Sequence, residues 1–118
     1  MKHKTAELTG AYLDLAVAMA EGKEAPCIRQ PLLLGQRATC SIFTHSGMAE
    51  NVFAPSSDWR DGGPIIDRMD ICIEGGGGCR AAEIRNDGPG RTQFGPTTLI
   101  AAMRCYVASV FGDEVDLP

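Results

Sequence analysis

The sequence predicts an α+β fold in one globular domain, residues 1–118, with two main helices packed on a small, mainly antiparallel sheet. Two long segments carry apolar residues at helical spacing, Leu8–Glu21 and Gly95–Gly112. Between them lie short β-patterned segments whose connections are rich in glycine and proline, as in hairpins. Because no repeat or linker interrupts the chain, we expect a single domain.

The segment Gly95–Gly112 has the clearest helix signal. Pro96 and the two threonines that follow it suit a first turn, and Gly112 suits the left-handed position that commonly ends a helix. Arg104 and Ser109 are almost the only polar side chains between these ends. A helix this apolar must be largely covered, so we expect it to be the central element of the core.

The segment Leu8–Glu21 predicts the second helix, with Thr9 as a possible cap and Gly22 as its end. Asp14 is its one internal charge. It either favours the positive end of the helix dipole or is a buried carboxylate that faces a ligand.

The middle of the chain is less regular. Short strands are predicted at 27–29, 32–34, 39–43, 71–73 and 81–84. Loops or turns are predicted at 44–47, 54–64, 75–78 and 86–94, whereas 48–53 receives no assignment. Pro64 can open a short helical turn through residues 65–67.

Composition excludes several classes of protein. Hydrophobic residues make up 44% and charged residues 22%, which is typical of a folded globular chain. The net charge of −4 argues against a general nucleic-acid binder. No apolar run approaches the roughly 20 residues of a membrane span, and the first residues lack a signal-peptide pattern. We therefore expect a cytoplasmic protein without membrane contact.

The five cysteines contain no C-x-x-C pair, and only His3 and His45 accompany them. This gives a zinc site no support, so we predict neither a metal nor a cofactor. Cys72 and Cys79 flank a glycine run and could face each other across a hairpin, although a reducing cytoplasm favours thiols. Cys105 is expected to be a core residue.

The first candidate site is the approach to the last helix, residues 88–98. Arg91 offers a charged fork and Phe94 a stacking face, while the helix start adds N–H groups and a partial positive charge. The same site includes Gly95, Thr97 and Thr98. Together these predict an anion or nucleotide pocket, although the same residues also make a good helix start.

The second candidate site is the segment around the single tryptophan. Trp59 can stack on a base or anchor a partner protein, and Asp58 can accept hydrogen bonds from a sugar or a base edge. Arg60 and Gly63 belong to the same ligand-binding prediction. The alternative is that Trp59 packs inward and pins this segment to the core.

No catalytic residue is predicted. The Gly-x-Ser-x-Gly and His-Glu-x-x-His patterns are absent, and the two histidines do not support a Ser-His-Asp triad. The aspartates at 58, 61, 67 and 70 could serve acid–base work or bind Mg²⁺, but charges at this spacing are more often solvated.

Several motifs together resemble the NinX-type family of small phage proteins. They are Lys4-Thr5-x-Glu7-Leu8-Thr9-Gly10, Asp58-Trp59-x-x-Gly62-Gly63-Pro64-Ile65-Ile66, Gly95-Pro96-Thr97 with Leu99 to Ser109, and the closing Gly112-Asp113-Glu114-Val115. The resemblance spans nearly the whole chain and implies a phage or prophage accessory protein inside a bacterial cell. It transfers no catalytic residues.

The leading hypothesis from the sequence is a non-enzymatic binding protein. Trp59 and the helix start at 95–98 would converge on a small, anionic, nucleotide-like ligand, for example a host immune signal that the protein sequesters. We also expect a homo-oligomer whose interface completes the pocket. The alternatives are a protein that inhibits or redirects a host protein and, as a minor option, a small phosphoesterase.

Overall fold

The structure, a computed structural model, describes residues 1–44, 49–76, 79–84 and 92–118. Its α-helices are α1 (Gly10–Ala20), α2 (Trp59–Met69) and α3 (Thr98–Phe111), with a 3₁₀ helix at Thr5–Glu7. Its strands are β1 (Lys2–Lys4), β2 (Cys27–Arg29), β3 (Thr39–Thr44), β4 (Ala49–Val52), β5 (Ile71–Gly76), β6 (Cys79–Ile84), β7 (Gln93–Gly95) and β8 (Glu114–Asp116).

The core forms around α3. This helix packs against α1, α2 and the sheet β5-β6-β7, whereas α1 also packs against the sheet β2-β3-β4. Met103 and Val107 of α3 and Leu13 and Val17 of α1 are fully buried. The two helices therefore form a central layer with a small antiparallel sheet against each of them.

The α+β class and the two apolar helices predicted from the sequence are confirmed. Thr97 caps α3, since its hydroxyl accepts a hydrogen bond from the Ile100 N–H at 3.1 Å. Gly112, with φ of 89°, lies at the other end. Thr9 occupies the N-cap position of α1, but its side chain makes no capping hydrogen bond.

The loop predicted at 54–64 is wrong, because α2 begins inside it. The Asp58 carboxylate accepts the Arg60 N–H at 2.9 Å and caps the helix, which runs through Pro64 to Met69. Gly62 of this helix is buried because the Pro55 backbone and the Leu99 side chain lie very close to it. A Cβ at Gly62 would lie 2.4 Å from the Pro55 carbonyl oxygen and 2.7 Å from Leu99 Cδ2. This glycine serves helix packing, not a turn.

The strand predicted at 32–34 is also wrong. These three leucines lie in the connection between β2 and β3, where Pro31 has no N–H to donate to a neighbouring strand. The unassigned segment before Phe53 instead forms β4, which pairs with β3.

The hairpin predicted at 71–84 is present, but its register separates the two cysteines. Cys72 lies opposite Glu83, and Cys79 lies opposite Gly76. Cys27, Cys40, Cys72 and Cys105 are thiols, and Cys105 is buried in α3 as expected.

Two further small strands were not predicted. β1 pairs with β8, and Thr5 reinforces this contact by donating its N–H to the Asp113 carbonyl and its hydroxyl to the Gly112 carbonyl. The predicted turn at 44–47 lies mostly outside the described residues, as does most of the loop predicted at 86–94. The end of that loop forms β7.

We predict that Gly62→Ala destabilises the protein by about 2–3 kcal/mol, because the new methyl group overlaps backbone at Pro55 and the Leu99 side chain. Thermal and urea unfolding measure this loss.

Gly63→Ala is the matched control. Among the described residues, its methyl group would meet only the Trp59 ring, at 3.7 Å, and alanine is the better helix former. We expect this variant to be as stable as the native protein or more so. Equal stability for the two variants would contradict the packing role of Gly62.

Candidate functional site

A cleft of about 400 Å³ lies where β7 meets the start of α3. Its described lining residues are Ala6, Thr92, Gln93, Phe94, Gly95, Pro96 and Arg104. The cleft therefore combines a backbone turn before a helix with one aromatic ring and one guanidinium group.

Arg104 connects the elements around this cleft. From α3, its Nε donates to the Leu8 carbonyl at 2.8 Å and its Nη1 donates to the Phe94 carbonyl at 2.7 Å. Leu8 directly precedes the N-cap of α1, and Phe94 belongs to β7. The guanidinium thus fixes one wall of the cleft while it brings a positive charge to the lining.

Phe94 is the aromatic group of the cleft, and its side chain is 58% exposed. Its neighbour Gly95 is buried, and a Cβ there would lie 2.7 Å from the Ala101 backbone nitrogen. Gly95 therefore lets the end of β7 lie directly on the first turn of α3. That packing leaves the Phe94 ring beside open space.

The other residues predicted near this helix start have different positions. Thr97 is exposed, and its hydroxyl oxygen accepts a hydrogen bond from the Ile100 N–H. Thr98 is the half-buried first residue of α3. Arg91 lies outside the described residues.

The tryptophan segment forms the start of α2. The Trp59 side chain is 57% exposed and lies against Gly63, so it does not pack into the core. Asp58 caps the helix and Arg60 is exposed. The inward packing considered for Trp59 is therefore not observed.

The first turns of α2 and α3 meet through Gly62 and Leu99. Trp59 is nevertheless not among the described residues that line the cleft at Phe94. A shared cavity for Trp59 and the start of α3 stays a prediction.

Asp14 is a buried carboxylate that holds the segment before α2. It accepts the Ser56 N–H at 2.8 Å. Burial raises the pKa of Asp14 to about 6, the hydrogen bonds from Ser56 lower it, and nearby Asp61 raises it further. Asp61 in turn accepts the Ala54 N–H at 2.9 Å. The chain before α2 is thus held by α1 and α2 together.

A second polar cluster joins the three helices at Glu21, which directly follows α1. Arg68 of α2 donates two hydrogen bonds to the Glu21 carboxylate, and the Tyr106 hydroxyl of α3 donates a third at 2.6 Å. Burial alone would raise the pKa of Glu21, but these donors hold it below its ordinary value. Burial and the bond to Glu21 raise the pKa of Tyr106 to about 12.

In the described part of the chain, no group of three or more histidine, cysteine, aspartate or glutamate side chains is placed to hold a metal ion. None of the helices described is long and apolar enough to span a membrane.

Sequence reasoning missed Arg104 as a site residue. The available signal was a guanidinium inside an otherwise apolar helix, since such a charge needs partners at the helix surface. Gln93 and Ala6 carried no comparable signal, because only the folded chain brings them to the same cleft.

A model of the family described as Bacteriophage P22, NinX matches residues 4–110. The match includes α1, α2, all of α3 except Phe111, and both sheets that pack on α1 and α3. No curated protein matched the chain.

We predict that Asp14→Asn removes a pH dependence of stability. The pKa of Asp14 is higher in the folded than in the unfolded chain, so its contribution to stability is complete below about pH 4 and is lost as pH rises through about 6. Asparagine keeps an oxygen acceptor for Ser56 and stays neutral. The stability of the variant relative to the native protein should therefore increase by about 1–3 kcal/mol between pH 4 and pH 7.

Urea unfolding at several pH values measures this difference. Glu24→Gln is the control, because Glu24 is exposed. A constant difference between Asp14→Asn and the native protein across this pH range would contradict the assignment.

Proposed function

Since the chain belongs to the Bacteriophage P22 NinX family, we propose that it is a phage accessory protein that binds a small, anionic, nucleotide-like ligand without transforming it. A host immune nucleotide signal that the protein sequesters is one such ligand. The observation that carries this proposal is the cleft at Phe94 and Arg104.

The cleft has the size and lining that a flat heterocycle needs. Its volume of about 400 Å³ falls within the usual range of small-molecule sites. The exposed ring of Phe94 offers a stacking surface, and the Gln93 side-chain amide offers both a donor and an acceptor to a base edge.

Two features support an anionic ligand. Arg104 brings a guanidinium to the lining, and two of its N–H groups are held by carbonyl oxygens, which fixes its orientation. Pro96 of the lining stands directly before the N-cap of α3, where the helix dipole favours negative charge. A phosphate group is the chemical match for both features.

The second candidate function is inhibition or redirection of a host protein. The exposure of Trp59 favours it, because exposed tryptophan side chains are frequent anchors in protein interfaces. Asp58, Arg60 and Gly63 border this residue along α2 and would form the rim of such a contact.

The phosphoesterase alternative receives less support. Asp58 and Asp61 each accept a backbone N–H, so both carboxylates have a structural role at the start of α2. We therefore assign them no catalytic step.

We predict that the protein, after incubation with an extract of bacterial nucleotides and removal of unbound material, releases an intact nucleotide on heating. Mass spectrometry of the released fraction identifies it. Phe94→Ala should reduce the amount bound by about tenfold or more, because stacking on an aromatic ring is worth about 1–3 kcal/mol.

Val110→Ala is the control, since Val110 is exposed on the same helix and is not among the described lining residues. Release of a cleaved product would favour the phosphoesterase. Release of nothing would refute the ligand proposal and leave the host-protein function. If Trp59→Ala binds as well as the native protein while Phe94→Ala does not, Trp59 lies outside the ligand site.

A further inference from the structure

A second, smaller cavity adjoins the cleft at Phe94. Its volume is about 160 Å³, and its described lining residues are Cys72, Glu74, Ala82, Glu83 and Thr92. Thr92, which directly precedes β7, lines both cavities. The cleft therefore continues across the sheet toward β6 and β5. We call the two cavities together the β7 groove.

The strand register places Glu83 and Phe94 on the same face of the sheet β5-β6-β7. Ala82 of β6 lies opposite Gln93 of β7, and each is followed by one of these two residues. Because neighbouring residues of a strand point to opposite faces, Glu83 and Phe94 share the face that the buried Ala82 does not. They are diagonal neighbours across the two strands, at a spacing of about 7–8 Å.

The two ends of the β7 groove carry opposite charges. Arg104 lines the cleft, where its Nη1 donates to the Phe94 carbonyl at 2.7 Å. Glu74 and Glu83 line the smaller cavity, and both are exposed. A phosphate is attracted by the guanidinium and repelled by the carboxylates. These charges therefore fix the direction in which a nucleotide lies, with its phosphate at the Arg104 end.

We propose that the ligand of the β7 groove is a guanine nucleotide. Its base stacks on the Phe94 ring, its phosphate lies at Arg104, and the Watson–Crick edge of the base faces the Glu83 carboxylate. This assignment rests on the nucleotide-binding function proposed above and names the base that the groove selects.

Hydrogen-bond chemistry selects guanine. An ionised carboxylate only accepts hydrogen bonds, and its two oxygens can accept two parallel ones. Guanine has two neighbouring donors on its Watson–Crick edge, the N1–H and the 2-amino group. Adenine, cytosine and uracil each place an acceptor beside the donor on that edge, and a carboxylate repels this acceptor. Guanine is therefore the base that satisfies both carboxylate oxygens.

Glu83 is the better placed of the two glutamates. It lies on β6, the strand next to Phe94, whereas Glu74 lies on β5, one strand further away. A base that stacks on Phe94 covers the space toward the neighbouring strand first. Glu83 is therefore the residue that we assign to base recognition.

Binding of nucleoside diphosphates to the full chain tests this proposal. Isothermal titration calorimetry compares GDP, ADP and inosine diphosphate, which differs from GDP only in lacking the 2-amino group. We expect GDP to bind about tenfold more tightly than inosine diphosphate, because one of the two hydrogen bonds to the carboxylate is lost. ADP should bind about 100-fold more weakly than GDP, because an acceptor also faces the carboxylate.

Exchange of the carboxylate for an amide tests Glu83 directly. Glu83→Gln replaces one acceptor with an N–H donor, so GDP should bind about tenfold more weakly. Xanthosine diphosphate should bind more tightly to this variant than to the native protein, because its carbonyl group at C2 can accept the new N–H. Loss of GDP and gain of xanthosine diphosphate together indicate a hydrogen-bonding role.

Two further variants separate this role from charge alone. Glu74→Gln removes the same charge from the smaller cavity, and it should leave GDP preferred over xanthosine diphosphate. Glu114→Gln removes a charge from an exposed position on β8 and should bind GDP as the native protein does.

Equal affinity of the native protein for GDP and ADP would overturn the guanine assignment. So would a GDP preference that survives Glu83→Gln, or one that Glu74→Gln abolishes. If no diphosphate binds but the heated protein still releases another nucleotide from the bacterial extract, only the guanine assignment is wrong. If neither is observed, the nucleotide-binding function is wrong as well.

Discussion

The fold depends on how closely α3 approaches its neighbours. Fully buried residues such as Met103 and Val107 need covering on several sides, and α1, α2 and the sheet with β7 provide it. Two glycines allow the close contacts, Gly62 from α2 and Gly95 from β7, because any side chain there would overlap the first turns of α3. The same approach that completes the core creates the cleft beside Phe94.

Hydrophobic periodicity predicted α1 and α3, which are buried on most sides. In both segments the spacing of the apolar residues and the residues at the two ends indicate the same helix. It failed at α2, whose first residues include Gly62, Gly63 and Pro64. In sequence these residues indicate a loop, whereas in the structure Gly62 is present for contact with Pro55 and Leu99. The strand prediction at 32–34 failed because these leucines are apolar but lie in a connection. Apolar character predicts a strand only where a partner strand is available.

The candidate site was predictable in part. An aromatic residue and a glycine before a helix start drew attention to Phe94 and Gly95, and both line the cleft. Arg104 lies ten residues from Phe94 and reaches the cleft through hydrogen bonds to two carbonyl groups that only the folded chain brings together. The same holds for Asp14. The sequence indicated that this carboxylate could be buried, but not that it accepts a hydrogen bond from the Ser56 backbone.

The two-helix layer keeps the two sheets apart, which has an evolutionary consequence. The connection between β2 and β3 makes little contribution to the core, so its length and apolar content can drift while the helices stay intact. On the other side, exposed residues beside β7 such as Phe94 can also vary, whereas Gly95 cannot. Substitutions on either exposed surface therefore need no compensating change on the other.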